Sequence, residues 1–359
     1  MSISRQIKSF ILRKLTSKKS NDFDIHKAKN VLFLRYDRIG DMVITTPVFR
    51  ELKLAYPHIN ITVLASTANQ DVLKNNPYID NIVTNHKNNL IGDLPSLLKL
   101  RKQKFDVCVE FDHSVIPHAI LRLKIIKPKK VISVKKDGRY DVDGSELSLY
   151  DFYTERPDNA HFRDIWLATL KPFDINPKSS SYDLFITNDQ QKQAQDFIKQ
   201  YSSKFLVGIN LEGAVKGKKI ELPELWKICQ GLYKENNNIQ IIILTTPSNI
   251  QNINEKVIEI SLDYVATSYK TNTILDAAAL INQLDLIITP DTSIVHIASA
   301  FNKPIVTIHE NNHDSFQLFS PTSSLNKTVF SPKKDTLEGF DVQKVIEYSN
   351  KFIEVINES

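Results

Sequence analysis

A short polar turn near residue 290 carries the side chains best suited to bind an anion. Asp291, Thr292 and Ser293 separate the apolar run Asp285–Ile288 from a segment whose apolar residues recur at helical spacing, with His296 one turn into it. In a parallel sheet such a turn faces the ligand crevice, and the helix that follows offers free N–H groups and a positive dipole end to a phosphate. The same residues can also serve only as a helix cap and core packing, so both interpretations stay open.

A second stretch suited to phosphate follows the predicted strand Phe205–Asn210. It contains glycines and three lysines, Lys216, Lys218 and Lys219. Glycine lets the backbone approach a phosphate closely, and ammonium groups neutralise its charge. A solvated basic loop is the alternative interpretation.

Two carboxylates follow the predicted strand Val31–Leu34. Asp37 lies in the turn, and Asp41 comes directly after Gly40 at the start of a predicted helix. A carboxylate positioned there can take a proton from a hydroxyl group that acts as a nucleophile. It can also act only as a helix cap, and the helix dipole would then weaken it as a base. Spacing does not decide between Asp37 and Asp41.

Further polar candidates lie in the same half of the chain. His113 follows the predicted strand Phe105–Phe111, and Arg122–Arg139 contains eight basic residues and one acidic residue. Lys129 and Lys130, within that segment, are candidates for binding an anionic ligand. A histidine in a surface turn and a solvated basic face are the simpler interpretations of the two features.

Predicted strands and helices alternate on both sides of a Pro/Ser/Lys-rich break at 172–181, which predicts an α/β protein with two domains. The predicted divisions are a basic amphipathic extension at 1–24, an N-terminal Rossmann-like domain at 25–180, a C-terminal Rossmann-like domain at 181–340, and a helix at 341–359 that could pack back on the N-terminal domain. The extension has its apolar residues at roughly helical spacing among lysines and arginines. It could lie on an anionic membrane surface or be a solvated terminus.

Composition excludes several classes of protein. The net charge is +5, but residues 1–30 alone contribute +6, so there is no basic face throughout of the kind that binds nucleic acid. No apolar run approaches the length of a membrane span, and no secretory signal is visible. The two cysteines, Cys108 and Cys229, lie in predicted core elements and indicate a reducing compartment. No metal is expected, because Cys/His ligand spacing is absent and Asp141-Val142-Asp143 lies in a polar loop rather than after a strand.

Two motifs resemble a known family. D-T-S-x-x-H-x-A-x-A from Asp291, followed by Lys303-Pro304, is similar to the C-terminal signature of the family 9 glycosyltransferases, the ADP-heptose:lipopolysaccharide heptosyltransferases of Gram-negative bacteria. R-Y-D-R-I-G-D-M-V-I-T-T-P from Arg35 resembles the turn and helix that follow the family's first strand. The two motifs occur in the expected order and separation.

The resemblance implies a GT-B architecture, with two Rossmann-like domains facing each other across a cleft. It implies an inverting transfer of heptose from ADP-heptose to the inner core of lipopolysaccharide or lipooligosaccharide, without metal or other cofactor, by a cytoplasmic enzyme at the inner face of the inner membrane. The resemblance implies Asp41 as the catalytic base and Lys219 at the leaving diphosphate, with Lys218 and Lys216 as alternatives to Lys219. Together with the residue patterns above, it predicts the donor-binding residues Lys216, Lys218, Asp291, Thr292, Ser293 and His296. The predicted acceptor-binding residues are Arg38, His113, Lys129 and Lys130.

The chain departs from the family pattern at two turns that border the expected nucleotide pocket. It has Thr245-Thr246-Pro247-Ser248 where a glycine-rich turn is common, and His309-Glu310-Asn311-Asn312 where Gly-Pro-Thr is common. One alternative is therefore a related enzyme that uses another nucleotide-sugar for surface polysaccharide. Another is a non-catalytic, membrane-peripheral protein that binds sugar nucleotides, although a pure binder does not need a base such as Asp41.

Overall fold

The structure, a computed structural model, describes residues 3–19, 21–85, 90–213 and 217–358. The candidate lysine Lys216 lies outside them. The chain divides into two compact units, Met1–Ser181 and Tyr182–Ser359. Each unit contains a six-stranded sheet whose neighbouring strands run parallel, with helices packed on it. The predicted α/β class is confirmed. No helix among the described residues is both long enough and apolar enough to cross a membrane.

The sheet of the first unit has the strand order β3-β2-β1-β4-β5-β6, which is the order of a dinucleotide-binding Rossmann sheet. Its elements are α1 (Ile3–Thr16), β1 (Asn30–Leu34), α2 (Ile39–Ala55), β2 (Asn60–Ser66), β3 (Asn81–Asn85), α3 (Leu90–Lys102), β4 (Val107–Glu110), α4 (Pro117–Ile126), β5 (Lys130–Val134), β6 (Phe152–Thr154) and α5 (Phe162–Leu167). The order reverses between β1 and β4, so the loops that follow these two strands border the expected ligand crevice.

The second unit repeats this order as β12-β11-β10-β7-β8-β9. Its elements are α6 (Asn188–Ile198), β7 (Phe205–Asn210), α7 (Leu222–Glu235), β8 (Ile239–Leu244), α8 (Ile250–Ile260), β9 (Val265–Thr267), α9 (Ile274–Gln283), β10 (Leu286–Pro290), α10 (Ser293–Ala300), β11 (Ile305–His309), α11 (His313–Phe319), β12 (Asn326–Phe330) and α12 (Val342–Asn357). Here the reversal lies between β7 and β10.

Alternation along β1 explains the layers of the first unit. Phe33 points to one face of the sheet, where its ring centre lies 5.0 Å from that of Phe49 in α2. Leu32 and Leu34 point to the other face and join a core with residues of α1, α3 and α4. A strand buried on both faces must be apolar throughout, which is why β1 is a continuous apolar run. Helices α1, α3 and α4 therefore form one layer, and α2 lies on the opposite side.

The C-terminal helix α12 belongs to the second unit. Val345, Ile346, Phe352 and Ile353 are buried in the core that this unit builds around β7, β8 and β10, and α12 packs against α7. The apolar stripe that predicted this helix is thus buried within the core of the C-terminal unit.

Candidate active site

The candidate site of the first unit lies at the carboxyl ends of β1 and β4. Arg35 is buried directly after β1, and the centre of its guanidinium lies 3.7 Å from the ring centre of Trp166. Its Nη1 donates to Oδ2 of Asp37 at 3.1 Å, and its Nη2 lies 3.7 Å from Oδ1 of Asp41. One buried cation therefore holds both candidate carboxylates at the same turn.

Asp41 is also part of the helix start. It is the third residue of α2, and its Oδ2 accepts a hydrogen bond from the backbone N–H of Arg38 at 3.3 Å. The Asp41 side chain is 16% exposed and that of Asp37 is 17% exposed, so a ligand can reach either carboxylate. A carboxylate has about four lone-pair sites, so the cap leaves acceptor capacity for a proton. Capping and a role as base are compatible in Asp41.

A third carboxyl group, Asp112, lies two residues after β4. Burial, and then the charges of Glu110 and Asp37, raise the pKa of Asp112 to about 9. Asp112 therefore carries a proton at neutral pH and hydrogen-bonds through it to Glu110. Burial opposes the ionisation of Glu110, but Lys136, which donates to its carboxylate, more than offsets this and lowers the pKa of Glu110. Of these two hydrogen-bonded carboxyl groups, Asp112 is thus protonated and Glu110 is ionised.

The structure brings His113 to the same edge. It follows Asp112 and is half-buried, with its ring centre 5.6 Å from that of Phe162. Burial, and then the charge of Arg156, lower the pKa of His113, so its ring is neutral at pH 7. A neutral imidazole can donate to or accept from a sugar hydroxyl group.

Lys129 and Lys130 are placed elsewhere. They lie at the amino end of β5, on the opposite edge of the sheet from Asp41. Nζ of Lys129 lies 2.7 Å from Oδ1 of Asp106, and Nζ of Lys130 lies 3.6 Å from Oδ1 of Asp151. The structure does not bring these two predicted acceptor residues to the candidate site.

The candidate site of the second unit lies at the carboxyl ends of β7 and β10. Asn210, the last residue of β7, donates to the hydroxyl groups of Thr289 at 2.9 Å and Thr292 at 3.2 Å. Thr292 is the N-cap of α10 and accepts from the backbone N–H of Ile294 at 3.3 Å. A Cβ on Gly213 would lie 2.6 Å from Cγ2 of Thr292, so glycine is required where the loop after β7 passes α10. These contacts fix the start of α10 beside that loop.

Three charged side chains and one histidine lie around this helix start, and we call them the α10 charge cluster: Lys218, Asp291, Glu310 and His309. The ammonium group of Lys218 contacts the carboxylate of Asp291 and lies 3.5 Å from Oε1 of Glu310. Nε2 of His309 lies 3.2 Å from Oδ2 of Asp291. Burial opposes the ionisation of Asp291, but His309 and Lys218 more than offset it and hold the pKa of that carboxyl well below its usual range. Lys218 is therefore placed at the positive end of α10 by two carboxylates.

His296 is the buried histidine of the predicted motif. It lies in α10, and its ring centre is 6.3 Å from those of Tyr182 and Phe319. Burial lowers the pKa of His296 to about 4, so the ring is neutral. Its Nδ1 has no hydrogen-bond partner among the described residues. A buried polar atom without a partner is costly in a native protein, and a bound ligand is one way to satisfy it.

Lys219, next to Lys218 in sequence, points away from the α10 charge cluster. Its Nζ lies 3.2 Å from Oε2 of Glu221, and its side chain is 38% exposed. It lines a pocket of about 660 Å³ together with Glu212, whose carboxylate accepts hydrogen bonds from Thr245, Thr246 and Asn249. This pocket also contains three other glutamates and is poorly suited to a phosphate. The geometry therefore favours Lys218 over Lys219 as the cation at a diphosphate.

Comparison with known proteins decides the family. Residues 97–346 match the family described as glycosyltransferase family 9 (heptosyltransferase), which is well over half of the chain. The chain belongs to glycosyltransferase family 9. It is therefore an enzyme that transfers a sugar, of the lipopolysaccharide heptosyltransferase type. The predicted family and enzyme class are confirmed.

Individual relatives of this glycosyltransferase are distant in sequence. A protein named putative lipopolysaccharide heptosyltransferase 4 from Escherichia coli K12 is 23% identical over 310 residues, which cover 82% of this chain and 79% of that protein. The crystal structure of a family 9 glycosyltransferase from Veillonella parvula has a TM-score of 0.74 at 18% identity and covers 93% of this chain and 99% of its own. E. coli heptosyltransferase WaaC with ADP has a TM-score of 0.69 at 13% identity and covers 90% and 98%. These structures confirm the GT-B fold class.

Several residues of the glycosyltransferase's candidate site were not predicted from sequence. Arg35, Asp112 and His309 with Glu310 all lie within two residues of the carboxyl end of a strand. That position was the available signal, since it is where ligand-binding residues of parallel sheets collect. Arg35 begins the first family motif and Asp112 precedes the candidate His113, whereas His309-Glu310 begins a turn that departs from the family pattern.

The protonated state of Asp112 predicts a pH-dependent stability. Between pH 5 and 8 the folded enzyme binds a proton at Asp112 that the unfolded chain releases, so this residue makes the free energy of unfolding fall as the pH rises. Asp112→Asn mimics the protonated form and removes the dependence. We expect the stability of the variant, relative to wild type, to rise by about 1 kcal/mol per pH unit over this range. Urea unfolding at pH 5.5, 6.5 and 7.5 measures it, and a difference that stays constant with pH contradicts a protonated Asp112.

Proposed function

We propose that this enzyme transfers heptose from ADP-heptose to the inner core of lipopolysaccharide or lipooligosaccharide, with inversion and without a metal or other cofactor. The observation that carries the donor assignment is the start of α10. Lys218 contacts Asp291 just before this helix start, and the unpartnered Nδ1 of buried His296 lies one turn along the same helix. This combination suits a diphosphate that is attached to a sugar. That WaaC was solved with ADP supports an adenine nucleotide.

The reaction is a displacement at the anomeric carbon of the donor sugar. A hydroxyl oxygen of the acceptor forms the new bond to that carbon as the bond to the diphosphate oxygen breaks, and Asp41 takes the hydroxyl proton. The two electrons of the broken bond leave with ADP. Lys218 and the N–H groups at the start of α10 stabilise the charge that develops on the departing diphosphate. Asp291 and Glu310 hold Lys218 in place before the donor binds, so its ammonium group is already positioned when the diphosphate departs.

The acceptor is proposed to bind the first unit, where Arg38 and His113 lie at the same sheet edge as Asp41. Neutral His113 and the carboxylate of Asp37 therefore present both a donor and acceptors to the hydroxyl groups of a sugar at this edge. The acceptor is anchored in a membrane by its lipid. We therefore propose that the enzyme acts in the cytoplasm, at the inner face of the inner membrane.

The test is a panel of nucleotide-sugars titrated into the purified enzyme by calorimetry, with ADP-heptose or ADP-mannose compared with UDP-, GDP- and CDP-sugars. We expect selective binding of the ADP-sugar. We expect His296→Phe, which keeps the ring packing but removes Nδ1, to weaken that binding by about tenfold to 150-fold, corresponding to one lost hydrogen bond to a charged ligand. His58→Phe, at an exposed turn before β2, is the matched control and should bind normally. Equal affinity of the His296 variant contradicts the proposed donor site.

A second candidate is a family 9 transferase that uses another nucleotide-sugar for surface polysaccharide. The observation that favours it is that both departures from the family pattern contact the loop that follows β7. Thr245 and Thr246 donate to Glu212, and Glu310 lies beside Lys218. Preference for a UDP-, GDP- or CDP-sugar in the same panel identifies this alternative and leaves the fold and reaction type unchanged.

A further inference from the structure

The N-terminal helix α1 is attached to the first unit by ion pairs and by a small apolar contact, in which Leu12 and partly buried Leu15 join the core of that unit. Arg5 forms an ion pair with Asp141 at 2.7 Å, and Arg13 forms another with Glu146. Leu12 is its only fully buried apolar residue among those described. The ion pairs also give the Asp141 of the D-x-D sequence a structural role.

The apolar stripe of α1 points outward. Ile7 is 54% exposed, Phe10 is 66% exposed and Ile11 is 48% exposed. These residues are three and four positions apart, so they form one stripe on the helix surface. A large aromatic and two β-branched or aliphatic side chains grouped in water are unusual on a soluble surface and mark a place where something apolar binds.

The stripe continues onto the neighbouring helices of the same layer. Helix α4 packs against both α1 and α3, so the three helices lie side by side with α4 in the middle. Leu94 and Leu98 of α3 and Leu121 of α4 are exposed, whereas Leu97 and Leu123 are buried beneath them in the core. Residues opposite the buried ones point away from the sheet. We call the exposed set, Ile7, Phe10, Ile11, Leu94, Leu98 and Leu121, the outer apolar face.

The charged residues that the three helices themselves contribute are almost all basic. Helices α1, α3 and α4 together contain nine lysines and arginines and one acidic residue, Asp93. Asp93 is buried and paired with buried Arg122, so it contributes no negative charge to the surface. Lys14, Lys99 and Arg101 are exposed and form no ion pair within the described residues. A surface with this composition attracts an anionic partner and repels a second copy of itself.

We propose that the outer apolar face docks the enzyme on the headgroup surface of an anionic membrane, with Phe10 and its neighbours inserted at the boundary of the acyl chains. An amphipathic layer with apolar side chains flanked by lysine and arginine binds such surfaces by burial and by charge. A fluid lipid surface needs no shaped groove, so exposed apolar side chains on three neighbouring helices are sufficient for such binding. The inference deepens the localisation in the proposed function, but it does not depend on which sugar is transferred.

Co-sedimentation of the full-length enzyme with vesicles tests the proposal, without donor or acceptor, so its outcome is independent of transferase activity. We expect binding to phosphatidylcholine vesicles that contain phosphatidylglycerol, little binding to phosphatidylcholine alone, and release at high salt. We expect Phe10→Gln/Ile11→Gln to lower partitioning by about tenfold or more, since two apolar insertions are lost. The matched control Leu54→Gln/Ile258→Gln removes two equally exposed apolar side chains from α2 and α8 and should bind like wild type.

Three results overturn the proposal. The first is failure of the wild type to bind anionic vesicles. The second is equal loss of binding in the helix variant and in the control, which would indicate a non-specific effect. The third is a concentration-dependent dimer that the Phe10→Gln/Ile11→Gln variant abolishes, because the face would then bind a second copy. All four substituted positions are exposed, and thermal unfolding should show unchanged stability in both double variants.

Discussion

Asp41→Asn should lower the turnover of sugar transfer by about 10²- to 10⁴-fold and leave the dissociation constant of the donor unchanged. This is the range expected for loss of a general base, and Asp41 lies in the first unit, whereas the proposed donor site lies in the second. Asparagine keeps an oxygen that can accept the hydrogen bond from the Arg38 N–H, so the start of α2 stays capped. The melting temperature should therefore stay close to that of the wild type.

Asp37→Asn is the matched control for this experiment. Asp37 and Asp41 both border buried Arg35, so either substitution removes one carboxylate from the same guanidinium. Both variants lose one negative charge beside the guanidinium of Arg35, but only Asp41→Asn removes the proposed base. We expect Asp37→Asn to reduce turnover much less than Asp41→Asn. The opposite ranking would identify Asp37 as the base, and full activity of both variants would leave Asp41 with the cap alone.

Much of the fold was predictable because the central strands are buried on both faces. The predicted strands Val31–Leu34 and Phe205–Asn210 are β1 and β7, and the strand-turn-helix-turn-strand from Asp285 to Ile308 is β10, α10 and β11. Each is a continuous apolar run that ends in a polar turn, and such a run has few other uses in a chain of this composition. The positions of Asp41 and Asp291 at strand ends followed from the same pattern.

The basic segment shows what the sequence could not separate. Arg122–Arg139 looked like one charged surface, but it contains the end of α4 and the whole of β5. Arg122 and Lys136 are buried against Asp93 and Glu110, while Lys129 and Lys130 lie at the far end of the strand. Charge composition along the chain does not reveal which lysines a sheet places at its two edges. The partner carboxylates are distant in sequence, so only the folded structure identifies them.

Lys218 and Lys219, in the loop after β7, show that the sequence also does not decide between two adjacent residues. Spacing to the next helix favoured Lys219, but adjacent residues in an extended segment point in opposite directions. Lys218 lies between Asp291 and Glu310, and Lys219 faces the glutamate-lined pocket. A choice between neighbours needs the direction of each side chain, which no motif gives.

Lys218→Met should therefore lower turnover by about 10²- to 10³-fold and weaken donor binding, whereas Lys219→Met should change either by little. The expected loss is that of removing one electrostatic stabiliser of a leaving group. Lys219 pairs only with exposed Glu221 among the contacts described, so its loss costs little structure. Lys218→Arg retains the charge and should recover part of the activity. Release of ADP from ADP-heptose in the presence of an inner-core acceptor measures the turnover.

Loss of Lys218 also leaves two carboxylates in the α10 charge cluster without their shared cation, which lowers stability. The double variant Lys218→Met/Glu310→Gln separates this effect from the catalytic one. It removes one negative charge together with the positive one, while His309 still faces Asp291. We expect it to recover most of the melting temperature of the wild type and none of the lost turnover. Recovery of turnover together with stability would mean that Lys218 supports the fold of this loop and that another cation meets the diphosphate.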